Sequence, residues 1–334
     1  MLHTRSIFRK LSSISICLIS TFSPLLTSAQ NVDYSVVFVP EESGLELMKI
    51  TRESDYVCLP PVKRSSKGIS WLTNRILAVS PDGNDIAYLS LRNDLTNIFV
   101  KSADKQGASR QRTNRAAVVD FAYSPDGKQI CFTESKGNSN QLFLTDAVNG
   151  YVCKQITSDS QDYAPIYSHD MKNIFFTRME NLGASVWSFD VKDKFLLSYT
   201  SGMNPFPVKN ENAIYVSRTS STGNGEIWKI NFESGVEECI LSDPYRSFYS
   251  PMLSPSGDKL LVVGSSVIKA DKFSFWNTDI YTCDTDGTNL SQLTYHAADD
   301  LSPVWSADGK YIYFISQRGN AEGLANIWRM TYKH

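Results

Sequence analysis

The sequence predicts an all-β protein, a β-propeller built from four-stranded antiparallel blades. Three observations predict this fold. A turn signature recurs along the 334 residues at a nearly constant spacing, runs of β-branched and aromatic residues follow each copy, and every repeat has room for four strands. Self-similarity with a period of about 40 to 50 residues is typical of propellers, in which one repeat forms one blade.

The turn signature is Ser-Pro-Asp-Gly in its best copies. Proline presets φ for a tight turn, aspartate bonds to the nearby backbone and glycine tolerates a positive φ. Met171 stands where most copies have glycine, so we expect the third turn to have a different geometry. The six copies begin at Ser80, Ser124, Ser168, Val208, Ser254 and Ser306.

Each turn is followed by two short runs that are typical of strands rather than helices. The first runs cover 86–89, 130–132, 174–176, 214–216, 260–262 and 312–314. The second runs cover 98–99, 142–143, 186–187, 227–228, 280–281 and 327–328. A further strand precedes the turn, as in 303–305, and a fourth follows the second run, as in 292–294. Each repeat therefore supplies the four strands of one blade.

The C-terminal repeats resemble a known family. Residues 279–294, then 299–306 and 309–316, resemble the propeller of TolB, the periplasmic member of the Tol–Pal envelope system. The resemblance extends over most of the chain from about residue 75 and implies a six-bladed ring and protein partners. TolB carries an α/β domain before its propeller, whereas residues 30–74 of this chain are predicted to form further strands.

Strand counting permits six or seven blades. The runs 34–39, 45–50 and 56–59 imitate the last three strands of a repeat, and the C-terminal repeat ends before its outermost strand. The N-terminal strands either close a ring of six blades or form an incomplete seventh. Because the resemblance favours six, we predict a six-bladed propeller that fills one domain over residues 30–334.

The first 29 residues are typical of a secretory signal. A basic start precedes an apolar stretch over 11–26, and the small residues 27–29 suit cleavage before Gln30. An uncleaved anchor is the alternative, but the stretch is shorter than the roughly 20 apolar residues of a spanning helix. We therefore expect a periplasmic or secreted protein with no membrane segment after cleavage.

Net charge and composition limit the kinds of partner and the kinds of catalytic site that we expect. The formal net charge of −2 becomes more negative once the basic signal is removed, which argues against nucleic acid and anionic membranes as partners. No Gly-x-Ser-x-Gly nucleophile motif occurs, and His169, His296 and His334 are the only histidines after residue 29. We expect no catalytic residue, metal site or cofactor.

Five cysteines remain after residue 29, an odd number without a close pair, and we expect no disulfide framework.

One face of the predicted ring gathers the candidate binding residues. The loop between the second and third strands shares this face, here called the loop face, with the crossings between blades. The longest insertion within a repeat, 265–277, also reaches it. Either the acids bond to backbone amides and the aromatics cap the ring, or the face binds a partner, for which Tyr, Trp and Arg are favoured. The candidates are Asp162, Tyr163, Tyr245, Arg246, Tyr249, Phe275, Trp276, His296, Asp299 and Asp300.

Three functions remain open at this stage. The leading hypothesis is a non-catalytic, exported propeller that binds a protein or peptide of the cell envelope through the loop face. The alternative is a carbohydrate-active propeller, either an enzyme similar to oligogalacturonate lyases or a glycan-binding protein. It would use two carboxylates, for which Asp299 and Asp300 are the candidates, or a metal. A scaffold for self-association is the third, although we expect a monomer.

Overall fold

The structure is a computed structural model that describes residues 45–60, 62–65, 68–72, 75–104, 107–270, 273–320 and 324–333. For 62–65, 68–72, 268–270 and 273–275 it describes the backbone alone. The predicted signal sequence over 1–29 and the strand predicted over 34–39 lie outside these residues. Within the described ranges no helix is long and apolar enough to cross a membrane.

The N-terminal segment contributes one strand to the ring and then crosses the loop face. Strand β1 (Leu47–Lys49) is followed by a 3-10 turn (Glu53–Asp55) and by the hairpin β2 (Val62–Ser65) and β3 (Gly68–Leu72). The hairpin pairs only with itself among the described strands, and β3 lies beside blade 5. The strand predicted over 56–59 is wrong, since Val57 there makes only isolated bridges.

Six sheets of four antiparallel strands follow one another around an axis, which confirms the predicted six-bladed propeller. Blades 1 to 3, from the innermost strand outward, are β4 (Leu77–Val79), β5 (Asp85–Arg92), β6 (Leu95–Ser102), β7 (Arg110–Gln111); β8 (Val118–Tyr123), β9 (Gln129–Lys136), β10 (Ser139–Asp146), β11 (Cys153–Gln155); and β12 (Asp162–Tyr167), β13 (Asn173–Glu180), β14 (Gly183–Asp190), β15 (Leu196–Ser201).

Blades 4 to 6 repeat the pattern, and the last one takes its outermost strand from the N-terminus. Their strands are β16 (Met203–Pro207), β17 (Ala213–Thr219), β18 (Gly225–Asn231), β19 (Glu237–Leu241); β20 (Arg246–Leu253), β21 (Lys259–Ala270), β22 (Phe273–Asp284), β23 (Ser291–Gln292); and β24 (Asp300–Trp305), β25 (Tyr311–Ser316), β26 (Asn326–Thr331), β1. Met48 of β1 lies opposite Arg329 of β26. The N-terminal strand therefore closes the ring, as predicted.

The Ser-Pro-Asp-Gly turns join the first and second strands on the face opposite the loop face, here called the turn face. In the second copy the Ser124 hydroxyl donates to Asp126 at 2.6 Å and accepts the Gln129 amide at 2.9 Å. The prediction that the third turn has a different geometry is wrong. Ser168 makes the same two bonds, and these hold Met171 at φ 61° in the region that favours glycine.

Neighbouring blades are locked together near the axis by backbone bulges. The residues at the bulges have positive φ and precede a proline: they are Ala164, Asn204, Ser250 and Ser302. The Asn204 amide donates to the hydroxyl of Thr177 in the preceding blade, and the Ser250 amide donates to that of Ser217, both at 2.9 Å. Away from the axis, apolar side chains fill the space between blades and form the core.

Candidate functional site

Charged pairs recur on the loop face, one in each blade. Their members come from strand ends and from the crossings between blades. The pairs are Asp55–Lys101, Arg115–Glu134, Asp162–Arg178, Arg218–Glu237, Asp243–Arg246 and Asp300–Arg318. A blade-by-blade repetition of this kind favours a structural role for most of these acids, which is the first of the two alternatives weighed from the sequence.

Two of the predicted binding residues are inaccessible carboxylates that are paired with arginines. Asp162 receives two bonds from the Arg178 guanidinium, at 2.7 and 2.9 Å, and its side chain has no exposed surface. Asp300 receives a bond from Arg318, and both side chains are likewise inaccessible. Removal of such a carboxylate would leave the arginine without its counter-charge, and an inaccessible carboxylate offers no surface to a partner.

His296 and Tyr249 are buried as well. The His296 Nδ1 accepts the Ala298 amide at 2.9 Å, so the proton of the neutral ring lies on Nε2. The Asn277 side chain donates to the His296 carbonyl at 2.9 Å. Tyr249 packs so closely on Gly225 that a Cβ there would lie 2.5 Å from the ring, and burial raises the pKa of Tyr249.

Among the predicted binding residues whose side chains the structure describes, Tyr245 is the most exposed, with 83% of its surface accessible. It stands in the crossing between blades 4 and 5, where Asp243 Oδ1 accepts the amides of Tyr245 and Arg246 at 2.7 and 3.0 Å. The Asn224 side chain donates to the carbonyls of Asp243 and Pro244, at 3.1 and 3.0 Å. Four hydrogen bonds thus fix a short loop that presents an aromatic ring to solvent.

Arg246 stands beside this ring. Its guanidinium carbon lies 5.8 Å from the centre of the Tyr281 ring, and Nη1 lies 3.8 Å from an Asp243 oxygen. The side chain is 42% exposed, so it can still donate to a ligand. We call the group formed by Asp243, Tyr245 and Arg246, together with the adjacent β21–β22 hairpin, the blade-5 rim.

The insertion over 265–277 extends the hairpin of blade 5 rather than forming a loop. Strands β21 and β22 pair over twelve residues each, with Val267 opposite Trp276. Trp276 and Asp299 are half-buried, as is Tyr163, whose hydroxyl donates to Gln161 at 3.0 Å. The Phe275 side chain lies outside the described part of the structure. Only some of the predicted residues with described side chains therefore reach the surface.

The centre of the ring holds a residue that the sequence did not single out. Arg75 begins the innermost strand region of blade 1, yet its guanidinium donates to the carbonyls of Pro165 at 3.1 Å and of Pro205. These prolines belong to blades 3 and 4, so the side chain spans the axis. Burial lowers the pKa of Arg75 to about 10, and burial raises that of the nearby Asp120 to about 6. No motif surrounds Arg75 that could have indicated this position.

The metal-ligating and thiol side chains of the described residues are not grouped together. Among them, no group of three or more His, Cys, Asp and Glu side chains could hold a metal ion. Five cysteines are described and all are free thiols, and burial raises the pKa of Cys131. The site is thus a surface of aromatic and charged side chains on a rigid ring.

Similarity to known proteins agrees with this architecture. Residues 72–207 match the family described as the TolB beta propeller domain. A TolB homologue of Chlorobium chlorochromatii is 32% identical over 126 residues, which make up 34% of this chain and 28% of that protein. The match therefore spans under a third of the length of the curated relative.

Solved structures share the fold at low sequence identity. TolB from Acinetobacter baumannii superposes with a TM-score of 0.58 at 19% identity, over 75% of this chain and 64% of that chain. An oligogalacturonate lyase from Vibrio parahaemolyticus superposes with a TM-score of 0.57 at 11% identity, over 89% and 96% of the two chains. Identities this low show the fold alone, and the likeness to the lyase does not favour a lyase function for this chain.

The structure is thus a six-bladed β-propeller whose candidate site is a surface of aromatic and charged side chains. The match over residues 72–207 and the curated relative show that its repeats are TolB-like.

Proposed function

We propose that this chain is a non-catalytic binding module of the cell envelope, which holds a protein or peptide partner on the blade-5 rim. The supporting observation is Tyr245, an exposed aromatic ring on a loop fixed by four hydrogen bonds, with a half-exposed arginine next to it. Tyr and Arg dominate binding hot spots, and a preorganised anchor loses little conformational entropy on binding.

The proposed location is the periplasm or the cell exterior. It rests on the signal-like residues 1–29 and on the periplasmic location of TolB proteins. A protein partner is the kind of ligand that the similarity to TolB favours. Crosslinking in cells would identify this partner.

The test is capture of the partner by crosslinking in intact cells of the producing organism. We expect the double variant Tyr245→Ala/Arg246→Ala to lose the crosslinked partner, with affinity lowered at least about 30-fold, the effect of losing a hot spot of ~2 kcal/mol. The matched control is Tyr151→Ala, a tyrosine with 68% exposure on the turn face, in blade 2. It should capture as much partner as the natural chain.

Retention of the partner by the rim variant, with its melting unchanged, would refute the assigned surface. Loss of the partner in both variants would point instead to a general effect of removing exposed tyrosines. The carbohydrate-active alternative has less support, because Asp162 and Asp300 are already held by arginines. It would be revived if plant polysaccharides were cleaved by the natural chain and not by an Asp299→Asn variant.

A further inference from the structure

The outermost strand of blade 3 differs from the outer strands of the other blades. Four of those, β1, β7, β11 and β19, carry Lys, Arg or Glu, and β23 has only two residues. Strand β15 has six residues, Leu-Leu-Ser-Tyr-Thr-Ser, with no charge. Natural proteins protect sheet edges with charges or short strands, since an open edge pairs with other chains. Blade 3 lacks both protections.

The exposed part of this edge is its first half. Phe195, Leu196 and Leu197 have 50%, 38% and 45% of their surface accessible, and Ser198 is exposed too. In the second half, the Tyr199 ring turns inward, 4.4 Å from the ring of Phe232 in blade 4. There the backbone is also covered, because Arg218 of blade 4 donates to the Ser201 carbonyl. An uncharged stretch of four residues, 195–198, three of them apolar, is thus left at the edge.

Opposite charges flank this stretch. The turn before β15 carries the exposed Lys192, Asp193 and Lys194 at the end near the turn face, and Lys194 is the charge nearest to the strand. At the other end Glu180, which accepts a 2.5 Å bond from Ser185, lines a cavity of about 320 Å³ with Leu182 and Ser201. If two such edges run antiparallel, the lysine end of each meets the glutamate end of the other.

We propose that β15 pairs antiparallel with β15 of a second copy of this chain, across a two-fold axis. A two-fold axis between antiparallel strands places one residue opposite its own copy, and in this register Leu197 lies opposite Leu197 of the second copy while Leu196 lies opposite Ser198. Lys194 then lies opposite Thr200 of the second copy, which lines the same cavity as Glu180. A two-fold contact needs a self-complementary surface, and this edge supplies it with an uncharged centre and unlike ends. The protein is then a dimer, in contrast to the monomer expected from the sequence.

The first test is the mass of the chain in solution, measured by light scattering after size exclusion. We expect the natural chain to have twice the chain mass at high concentration. Leu197→Lys, which places two like charges across the axis, should give the chain mass. The matched control is Val236→Lys, an exposed valine just before the outer strand of blade 4, and it should stay dimeric. A natural chain that is monomeric at every concentration overturns the proposal.

The second test reverses the charges of Lys194 and Glu180, first one and then both, so that the second change should restore the dimer. Lys194→Glu should raise the dissociation constant at least tenfold, and addition of Glu180→Lys to the same chain should restore most of the affinity. No recovery in the double variant overturns the register.

A third measurement requires no substitution. In the natural chain, hydrogen exchange at the amides of 195–198 should become slower as the concentration rises, whereas exchange at 237–241 should not change. Exchange at 195–198 that is independent of concentration overturns the proposal, as does protection of that edge only when a different protein's strand is supplied. Blade 3 lies away from the blade-5 rim, so the two proposals can fail separately.

Discussion

At the scale of single residues, burial separates acids that look alike in the sequence. Asp159 and Asp162 stand three residues apart in the crossing into blade 3. Asp159 is exposed, whereas Asp162 is inaccessible and held by Arg178 through two hydrogen bonds. Asp159 is therefore an ordinary surface carboxylate, whereas Asp162 is a buried partner of Arg178 within the blade.

This difference predicts unequal effects on stability. Asp162→Asn should lower the free energy of unfolding by about 2 to 3 kcal/mol, because it leaves the largely buried Arg178 without its counter-charge. Asp159→Asn is the matched control and should stay within about 0.5 kcal/mol of the natural chain. Urea unfolding followed by circular dichroism measures both. Equal stability of the two variants would mean that the pair contributes nothing to the blade.

The sequence could identify these residues as candidates but could not assign their roles. Neighbours on a strand point to opposite sides, so Asp162 and Tyr163 cannot both face inward, but the pattern does not say which one does. Tyr245 was found because the turn residues Asp243 and Pro244 mark a crossing between two blades just before it. Arg75 was missed, since its partners at the axis are backbone carbonyls of blades 3 and 4, which no sequence motif marks.

At the scale of elements, the turns between the first and second strands are held by side chains as much as by glycine. The Ser168 turn keeps the common geometry although Met171 stands at φ 61°. For a residue with a Cβ, this conformation costs roughly 1 to 2 kcal/mol. The two bonds of the Ser168 hydroxyl offset that cost.

Met171→Gly should therefore stabilise the protein. Relief of the left-handed conformation outweighs the extra freedom of glycine in the unfolded chain, for a net gain of about 0.5 to 1 kcal/mol. The control is Met171→Ala, which removes the same half-exposed side chain but keeps the strain, and it should be close to neutral. Both are compared by chemical denaturation. A glycine variant less stable than the alanine variant would contradict the account of this turn.

Most strands could be predicted because turn signals bound them and β-branched residues fill them. The exceptions have physical causes. The run 56–59 has the composition of a strand, but Val57 lies between the ends of two blades and finds only isolated partners. The insertion over 265–277 continues a hairpin that was already paired, so its residues extend the ladder of blade 5.

At the scale of the whole molecule, closure of the ring depends on one short strand. Strand β1 has three residues and pairs with β26, with Met48 and Arg329 separated by 281 residues along the chain. Six and seven blades require the same strands in the sequence, and only this pairing decides between them. Resemblance to a family of six-bladed proteins was therefore more informative than the strand count.

A covalent bond across the closure should stabilise the fold strongly. Met48→Cys/Arg329→Cys joins directly opposed residues on the exposed side of the pair, and in the chain-entropy model a loop this long contributes about 5 kcal/mol. The oxidised variant should melt well above the natural chain. The same variant with a reducing agent is the control and should lose the gain. An unchanged melting temperature after verified oxidation would show that unfolding does not begin by opening at this joint.

The arginine at the centre also limits how the ring can be used. Because Arg75 reaches from blade 1 to carbonyls of blades 3 and 4, the hub is barred to any polypeptide that would be threaded through it. A binding partner therefore stays on the face of the ring to which it first binds. The two faces are then independent platforms, and each could be occupied without displacing what sits on the other.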